Sequence, residues 1–275
     1  MNALFTIAGQ EVRDGLRNRW IIALTIMLAG FALSLTLLGS APTGTVGASS
    51  LLVTIVSLSS LTIFLLPLIG LMLSFDAVVG EVERGTMLLL LSYPVSRWQV
   101  MGGKFLGHMI ILAFATIVGY GAAGVAAVLT DEGVDPQTWQ AFTAMIASSI
   151  ILGGAFLAIG YLISTSVRER ATAGGIAIAT WLLFVLIFDM ALLGLVIGAG
   201  DSIGSDVFPV LLLANPADVY RLFNLTGFDD IATLSGTIGM MGEASFSTSL
   251  LMVVQVCWVL LPLSIAGLIF SRKEL

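Results

Sequence analysis

Hydrophobic and polar positions alternate along this chain on the scale of a lipid bilayer. Apolar runs at residues 20–39, 51–75, 105–129, 142–164, 173–197 and 249–270 are each long enough to cross a hydrocarbon core, which needs about 20 residues. Ahead of the first run, Leu4, Phe5, Ala8, Val12 and Leu16 recur near helical spacing, with Gln10, Glu11, Arg13, Asp14 and Arg17 mostly between them. That pattern predicts an amphipathic helix over residues 1–19, lying along the membrane face. The first apolar run exceeds the roughly 7–15 residues of a signal-peptide core and is followed by no clear small-x-small cleavage site, so it reads as a membrane helix. Pro67 and Pro262 lie inside spans, where neighbouring helices can satisfy the freed carbonyl. The G-Y-G-A-A-G stretch, Gly119 to Gly124, predicts close helix approach in the third span.

Two stretches break the alternation. Between the second and third spans, residues 76–104 hold Glu81, Glu83 and Arg84, then Gly85, Thr86 and an apolar block of Met87, Leu88, Leu89, Leu90 and Leu91. Tyr93 and Pro94 stop the block, and Ser96, Arg97 and Lys104 follow. Such a block is too short for a bilayer and too apolar for a loop, so a protein partner is expected to cover it. The second break is the segment 199–247, with an apolar stretch at 207–214, the turn signal Asn215-Pro216, and Asp218, Val219, Tyr220, Arg221, Leu222, Phe223, Asn224 and Leu225 after it. The stretch from Phe208 to Phe228 reads either as a helix resting on lipid or as a platform for an extracytoplasmic partner, and the platform is favoured.

Composition agrees with the pattern. The chain has 275 residues, 58% hydrophobic and 10% charged, where a soluble domain carries about 25% charged. The predicted class is an all-α integral membrane protein with six transmembrane helices. The net charge of −6 matters less than where the charges lie. Of the 11 Lys and Arg residues, only Arg221 falls on the side opposite the termini. The positive-inside rule then places both termini in the cytoplasm. The other side is acidic, with Asp131, Glu132, Asp135, Asp201, Asp206, Asp218, Asp229, Asp230 and Glu243.

Candidate chemistry is sparse. No phosphate loop is present, since Gly102-Gly103-Lys104 lacks the first glycine at the required spacing, so ATP hydrolysis by that route is excluded from this chain. No G-x-S-x-G or H-E-x-x-H occurs, and the single histidine, His108, rules out a His-rich metal site. His108 reads as an interfacial side chain that reaches toward the membrane surface. Asp189 lies deep in the fifth span and reads equally as a pathway or gating residue, as a helix-to-helix hydrogen bond, or as the mark of a span that ends earlier. Adjacent Met240 and Met241 make a weak copper(I) site at best, and the lone Cys257 allows no internal disulfide.

Gly80 to Arg97, with its E-x-x-x-G-T…L…P-x-S-R arrangement, resembles the cytoplasmic coupling helix of type-2 ABC-transporter permeases. The stretches Asp14–Trp20, Phe75–Glu81, Gly103–His108 and Asn215–Leu225 are more similar still to one branch of that family. That branch comprises the membrane subunits of the copper-site assembly machinery for nitrous oxide reductase, a denitrification enzyme. The resemblance implies a non-catalytic permease in a bacterial inner membrane, working as a homodimer. It implies a separate cytoplasmic ATPase dimer that holds the ATP and magnesium, with no cofactor or metal in this chain. It also implies a periplasmic copper-related assembly protein as partner, and no nucleic acid. Residues 84–93 would form the coupling helix, with Glu81, Glu83 and Arg97 setting its register through charge pairs. Phe208, Asn215, Pro216, Asp218, Tyr220, Arg221, Phe223 and Asn224 would meet the periplasmic partner. The alternatives are a conventional ABC exporter of a copper or sulfur species and an ion-coupled secondary transporter.

Overall fold

The computed structural model describes residues 3–17, 19–39, 50–130, 135–199, 207–226 and 246–274. Among these the regular structure is entirely helical. Expectations placed on residues 40–49, Asp131, Glu132, Asp201, Asp206, Phe228, Asp229, Asp230, Met240, Met241 and Glu243 lie outside the described residues. In chain order the helices are α1 (Ala3–Arg17), α2 (Arg19–Gly39), α3 (Ser50–Ser74), α4 (Val79–Glu83), α5 (Thr86–Leu91), α6 (Arg97–Thr130) and α7 (Pro136–Ser166). Next come α8 (Arg170–Leu182), a π turn (Leu183–Ile187) and α9 (Phe188–Ala199), which together form one long stretch, then α10 (Val207–Leu212), α11 (Pro216–Thr226) and α12 (Thr248–Arg272). Five stretches are long and apolar enough to cross a membrane: Leu51–Glu83, Arg97–Leu129, Pro136–Ser166, Arg170–Leu195 and Thr248–Arg272. A bent pair formed by α1 and α2 makes up to six.

The bundle is built on α7, the most enclosed of these stretches; α8–α9 is the least enclosed. Small residues let backbones touch along α7. A Cβ on Gly70 of α3 would lie 2.5 Å from the Gly153 carbonyl oxygen, and one on Gly160 would strike the Ser74 hydroxyl. Gly119 faces Leu28 of α2, and Gly124 faces the Phe142 ring of α7, so the glycine-rich stretch of the third span packs on two different helices.

The N-terminal helix does more than lie on a membrane face. It docks on α6 through a second pair of small residues, four apart. A Cβ on Gly103 would sit 2.8 Å from both Ile7 Cβ and the Leu4 carbonyl oxygen, and one on Gly107 would sit 2.5 Å from Glu11 Cβ. Ile7 and Ala8 are buried in this contact while Phe5 and Leu16 remain exposed. The amphipathic pattern of α1 thus divides between a protein face and an outward face.

Helix α6 starts eight residues before the expected span. Ser96 and Gln99 form a capping box: the Gln99 amide donates to Ser96 Oγ at 3.2 Å, and the Ser96 amide donates to Gln99 Oε1 at 2.9 Å. Pro94, just upstream, cannot continue a helix from α5. Lys104 and His108 therefore lie well inside α6, and His108 is buried with Nδ1 2.8 Å from the Tyr161 hydroxyl of α7. The expected interfacial histidine is a helix-to-helix contact.

Candidate functional site

Two regions carry the residues that the sequence singles out, one at each end of the bundle. At the end that holds the basic residues, α4 and α5 form a short elbow. Ser164 Oγ of α7 accepts from the Val78 and Val79 amides, each at 3.0 Å, and so holds the start of α4. Gly85 then links α4 to α5 with φ of 74°, the one positive φ among the described residues, in a region that favours glycine. Met87 is fully buried and anchors α5, with Leu90 and Leu91 half-buried beside it. Leu88 and Leu89 point the other way, 57% and 68% exposed, and Tyr93 is 68% exposed. Arg84, Thr86, Pro94 and Ser96 are also exposed. The structure thus presents a small apolar knob at the basic end, next to charged groups.

The three charges expected to set register with a partner are committed within the chain. Lys104 Nζ lies 2.6 Å from Glu81 Oε1 and 2.5 Å from Glu11 Oε1, so one buried ammonium ties α1, α4 and α6 together. Two carboxylates around it offset the cost of removing that charge from water. Glu83 Oε1 accepts from the Arg170 backbone amide at 2.6 Å and satisfies an otherwise open donor at the start of α8. Arg97 Nη1 donates to the carbonyls of Phe270 at 2.7 Å and Lys273 at 2.5 Å, and its guanidinium lies over the Phe270 ring. Arg97 therefore closes the C-terminal end of α12, where free carbonyls and the helix dipole favour a cation. Sequence reasoning treated Lys104 and Arg170 as orientation charges. Their partners come from other helices, and nothing in local spacing marks them.

At the opposite end, α11 does not lie outside the bundle. Asn215, Pro216, Asp218, Tyr220, Phe223 and Asn224 are all buried, so in this arrangement they face the chain's own helices and form no exposed platform. Phe208 falls in α10, and its side chain lies outside the described residues. Tyr220 meets Ser149 Oγ at 3.0 Å, and Asn224 Nδ2 donates to Ser148 Oγ at 3.0 Å. Both serines lie near the middle of the 31-residue α7. Gln255 of α12 donates to the Ser148 carbonyl at 3.2 Å, and Trp258 Nε1 donates to the Leu213 carbonyl at 3.1 Å. Val219, Leu222 and Phe223 pack with Leu251 of α12. The polar residues that suggest a surface helix instead supply bonds across helices, which an apolar surround requires.

Asp189 has a definite partner. Arg221 Nη2 lies 2.9 Å from Asp189 Oδ2, and Nη1 lies 2.6 Å from Asp218 Oδ1. Asn215 Nδ2 donates to Asp218 Oδ2 at 2.9 Å and to the Phe184 carbonyl at 2.8 Å. The Asn215 side-chain oxygen accepts from the Ala217 amide at 3.0 Å, which orients the amide group. Burial pushes the Asp218 carboxyl up to about 7, opposed by the Arg221 charge and assisted by Asp189. Of the readings open for Asp189, the geometry matches a polar bond between elements, here an ion pair from the fifth span to α11. The only sequence signal for it was the single arginine on the acidic side.

Among the described residues no group of three or more His, Cys, Asp or Glu side chains is arranged to hold a metal ion. The family profile described as ABC-2 family transporter protein matches residues 5–275. Two curated relatives are each called "Probable ABC transporter permease protein NosY". The one from Stutzerimonas stutzeri is 42% identical over 274 residues, covering 99% of each chain. The one from Pseudomonas aeruginosa PAO1 is 41% identical over 276 residues, covering 100% of each.

Proposed function

Since this chain belongs to the ABC-2 transporter family as a multi-pass membrane permease subunit, we propose that it couples ATP hydrolysis by a separate cytoplasmic ATPase to a periplasmic partner. The process served is maturation of the copper sites of nitrous oxide reductase, as the names of its full-length relatives suggest. It works as a homodimer in a bacterial inner membrane, with its termini and the α4–α5 elbow on the cytoplasmic side. It carries no catalytic group of its own, and ATP and magnesium are held by the partner ATPase.

The observation that carries this reading is the exposed apolar pair Leu88 and Leu89 on an anchored elbow at the basic end. Exposed apolar groups held by a buried residue, Met87, suit insertion into a groove on another protein. The neighbouring charges hold the elbow to α1, α6 and α8 and leave the leucines to make the contact. The test is a Leu88→Glu, Leu89→Glu double variant in detergent-solubilised complex. The ATPase is expected to be lost on affinity purification while the membrane subunit keeps its melting temperature. Retention of the ATPase at parental stoichiometry would sink the assignment.

A further inference from the structure

The fifth span, α8 through α9, is the least enclosed of the spanning stretches, yet polar bonds grip it at three levels. At the basic end Arg170 Nη2 lies 3.0 Å from Asp76 Oδ2, its backbone amide donates to Glu83 Oε1 at 2.6 Å, and its guanidinium lies over Phe75. In the middle, Trp181 Nε1 donates to the Phe64 carbonyl of α3 at 3.0 Å, just ahead of Pro67. Just beyond that bond, α11 and the residue that precedes it hold the stretch twice: Asn215 donates to the Phe184 carbonyl, and Arg221 pairs with Asp189. Of these last two bonds, one falls within the π turn Leu183–Ile187 and the other just beyond it.

We propose that α8, the π turn and α9 form a rod that moves the coupling elbow and α11 together, with the π turn as its joint and Asn215 and Arg221 as the latch. The inference rests on the reading of α5 as the ATPase-docking element. A π turn carries one residue more than the α-helical path, and its hydrogen bonds reach one residue further. Relaxing it to α-helix moves the register by one residue, which turns everything beyond it by about 100° about the helix axis. Such an element has two discrete arrangements, which is what coupling between distant sites requires. In the π arrangement Asn215 occupies the Phe184 carbonyl, so leaving that arrangement and releasing α11 are one event. At the other end, Glu83 lies two residues before the Gly85 link into α5, so displacement of the elbow bears directly on the start of α8. Few side chains of α8–α9 are buried, among them Ala173, Ala177 and Val185, so together with the Phe184 ring packed on Phe156 and Trp258 the polar bonds are its principal fixed points.

The test uses the full complex with its ATPase in lipid nanodiscs. Cys257, an exposed free thiol, is first replaced by serine. Met190, 73% exposed on α9, is replaced by cysteine and given a trifluoromethyl label. Its fluorine resonance is compared without nucleotide and with ATP trapped. The expected result is an ATP-dependent shift. Arg170→Gln removes the Asp76 ion pair but keeps the amide bond to Glu83, so it should reduce that shift while the ATPase still co-purifies and turns over ATP, and the charge swap Asp76→Arg with Arg170→Asp should restore it. Asn215→Ala, which frees the Phe184 carbonyl in the π turn, should move the nucleotide-free resonance toward the ATP position. A silent probe in the parent, or an undiminished shift in Arg170→Gln, overturns the rod, as does an unmoved resonance in Asn215→Ala. Because ATPase retention is read separately through Leu88 and Leu89, a silent probe in a complex that still depends on those leucines refutes the rod alone.

Discussion

Helices α5 and α11 invert the ordinary rule of burial in opposite senses. Helix α5 is apolar and half-exposed, while α11 is studded with polar groups and buried. The difference lies in where each finds its partners. The bonds that α11 needs are all within the chain, from Ser148, Ser149, Phe184 and Asp189. Leu88 and Leu89 have no such cover here, and a partner protein is the proposed remedy. Stability should therefore be concentrated in α11 and docking in α5.

Substitutions can break that comparison. The largest loss is expected for Arg221→Leu, which takes the charged donor from the buried Asp218; with Arg221 and Asp189 each about a third exposed it should cost about 1.5–3 kcal/mol, read as a fall in melting temperature in detergent. A melting temperature equal to the parent's would show that the ion pairs contribute little. Asn224→Ala removes a bond to Ser148, whose hydroxyl still donates to the Met145 carbonyl, for a loss of about 0.5–1.5 kcal/mol. A smaller effect should follow pH. Because the Asp218 carboxyl titrates higher in the fold than in the unfolded chain, its contribution favours the fold at low pH and is lost as pH rises through about 7. The parent should lose thermal stability between about pH 4 and 7 and level off above that, and Asp218→Asn should flatten that slope. The smallest stability change, within about 0.5 kcal/mol, is expected for Leu88→Glu with Leu89→Glu, the pair with the largest expected effect on ATPase retention.

The spans were legible because a bilayer demands apolar runs of a given length, and the helices at 50–74, 97–130, 136–166 and 248–272 match four of the six runs read from the sequence to within one residue of containing them. The elbow was legible as an anomaly of length. The position of α11 was not, because Asn215, Asp218, Tyr220 and Asn224 lower its mean hydropathy to that of a surface helix. Only their partners on α7 and the π turn reveal that they face inward. The docking of α1 was hidden for a related reason: Gly103 and Gly107 look like any small residues until Ile7 and Glu11 are placed against them. The charges Glu81, Glu83 and Arg97 were expected to pair with another protein, and within this chain they meet Lys104, the Arg170 amide and the carbonyls of Phe270 and Lys273.

The direction of the α11 bonds also sets an order of assembly. Its polar side chains draw on Ser148, Ser149, Phe184 and Asp189, or on each other, and every one of these outside partners precedes α11 in the chain. During synthesis the helix can therefore seat as soon as it emerges, with its charges already matched. Helix α12 arrives last and closes over it, bringing Gln255 to the Ser148 carbonyl and Trp258 to the Leu213 carbonyl. A chain truncated before α12 would keep α11 by its polar bonds and by the packing of Ala217 and Tyr220 against α3 and α7, but would uncover Val219, Leu222 and Phe223.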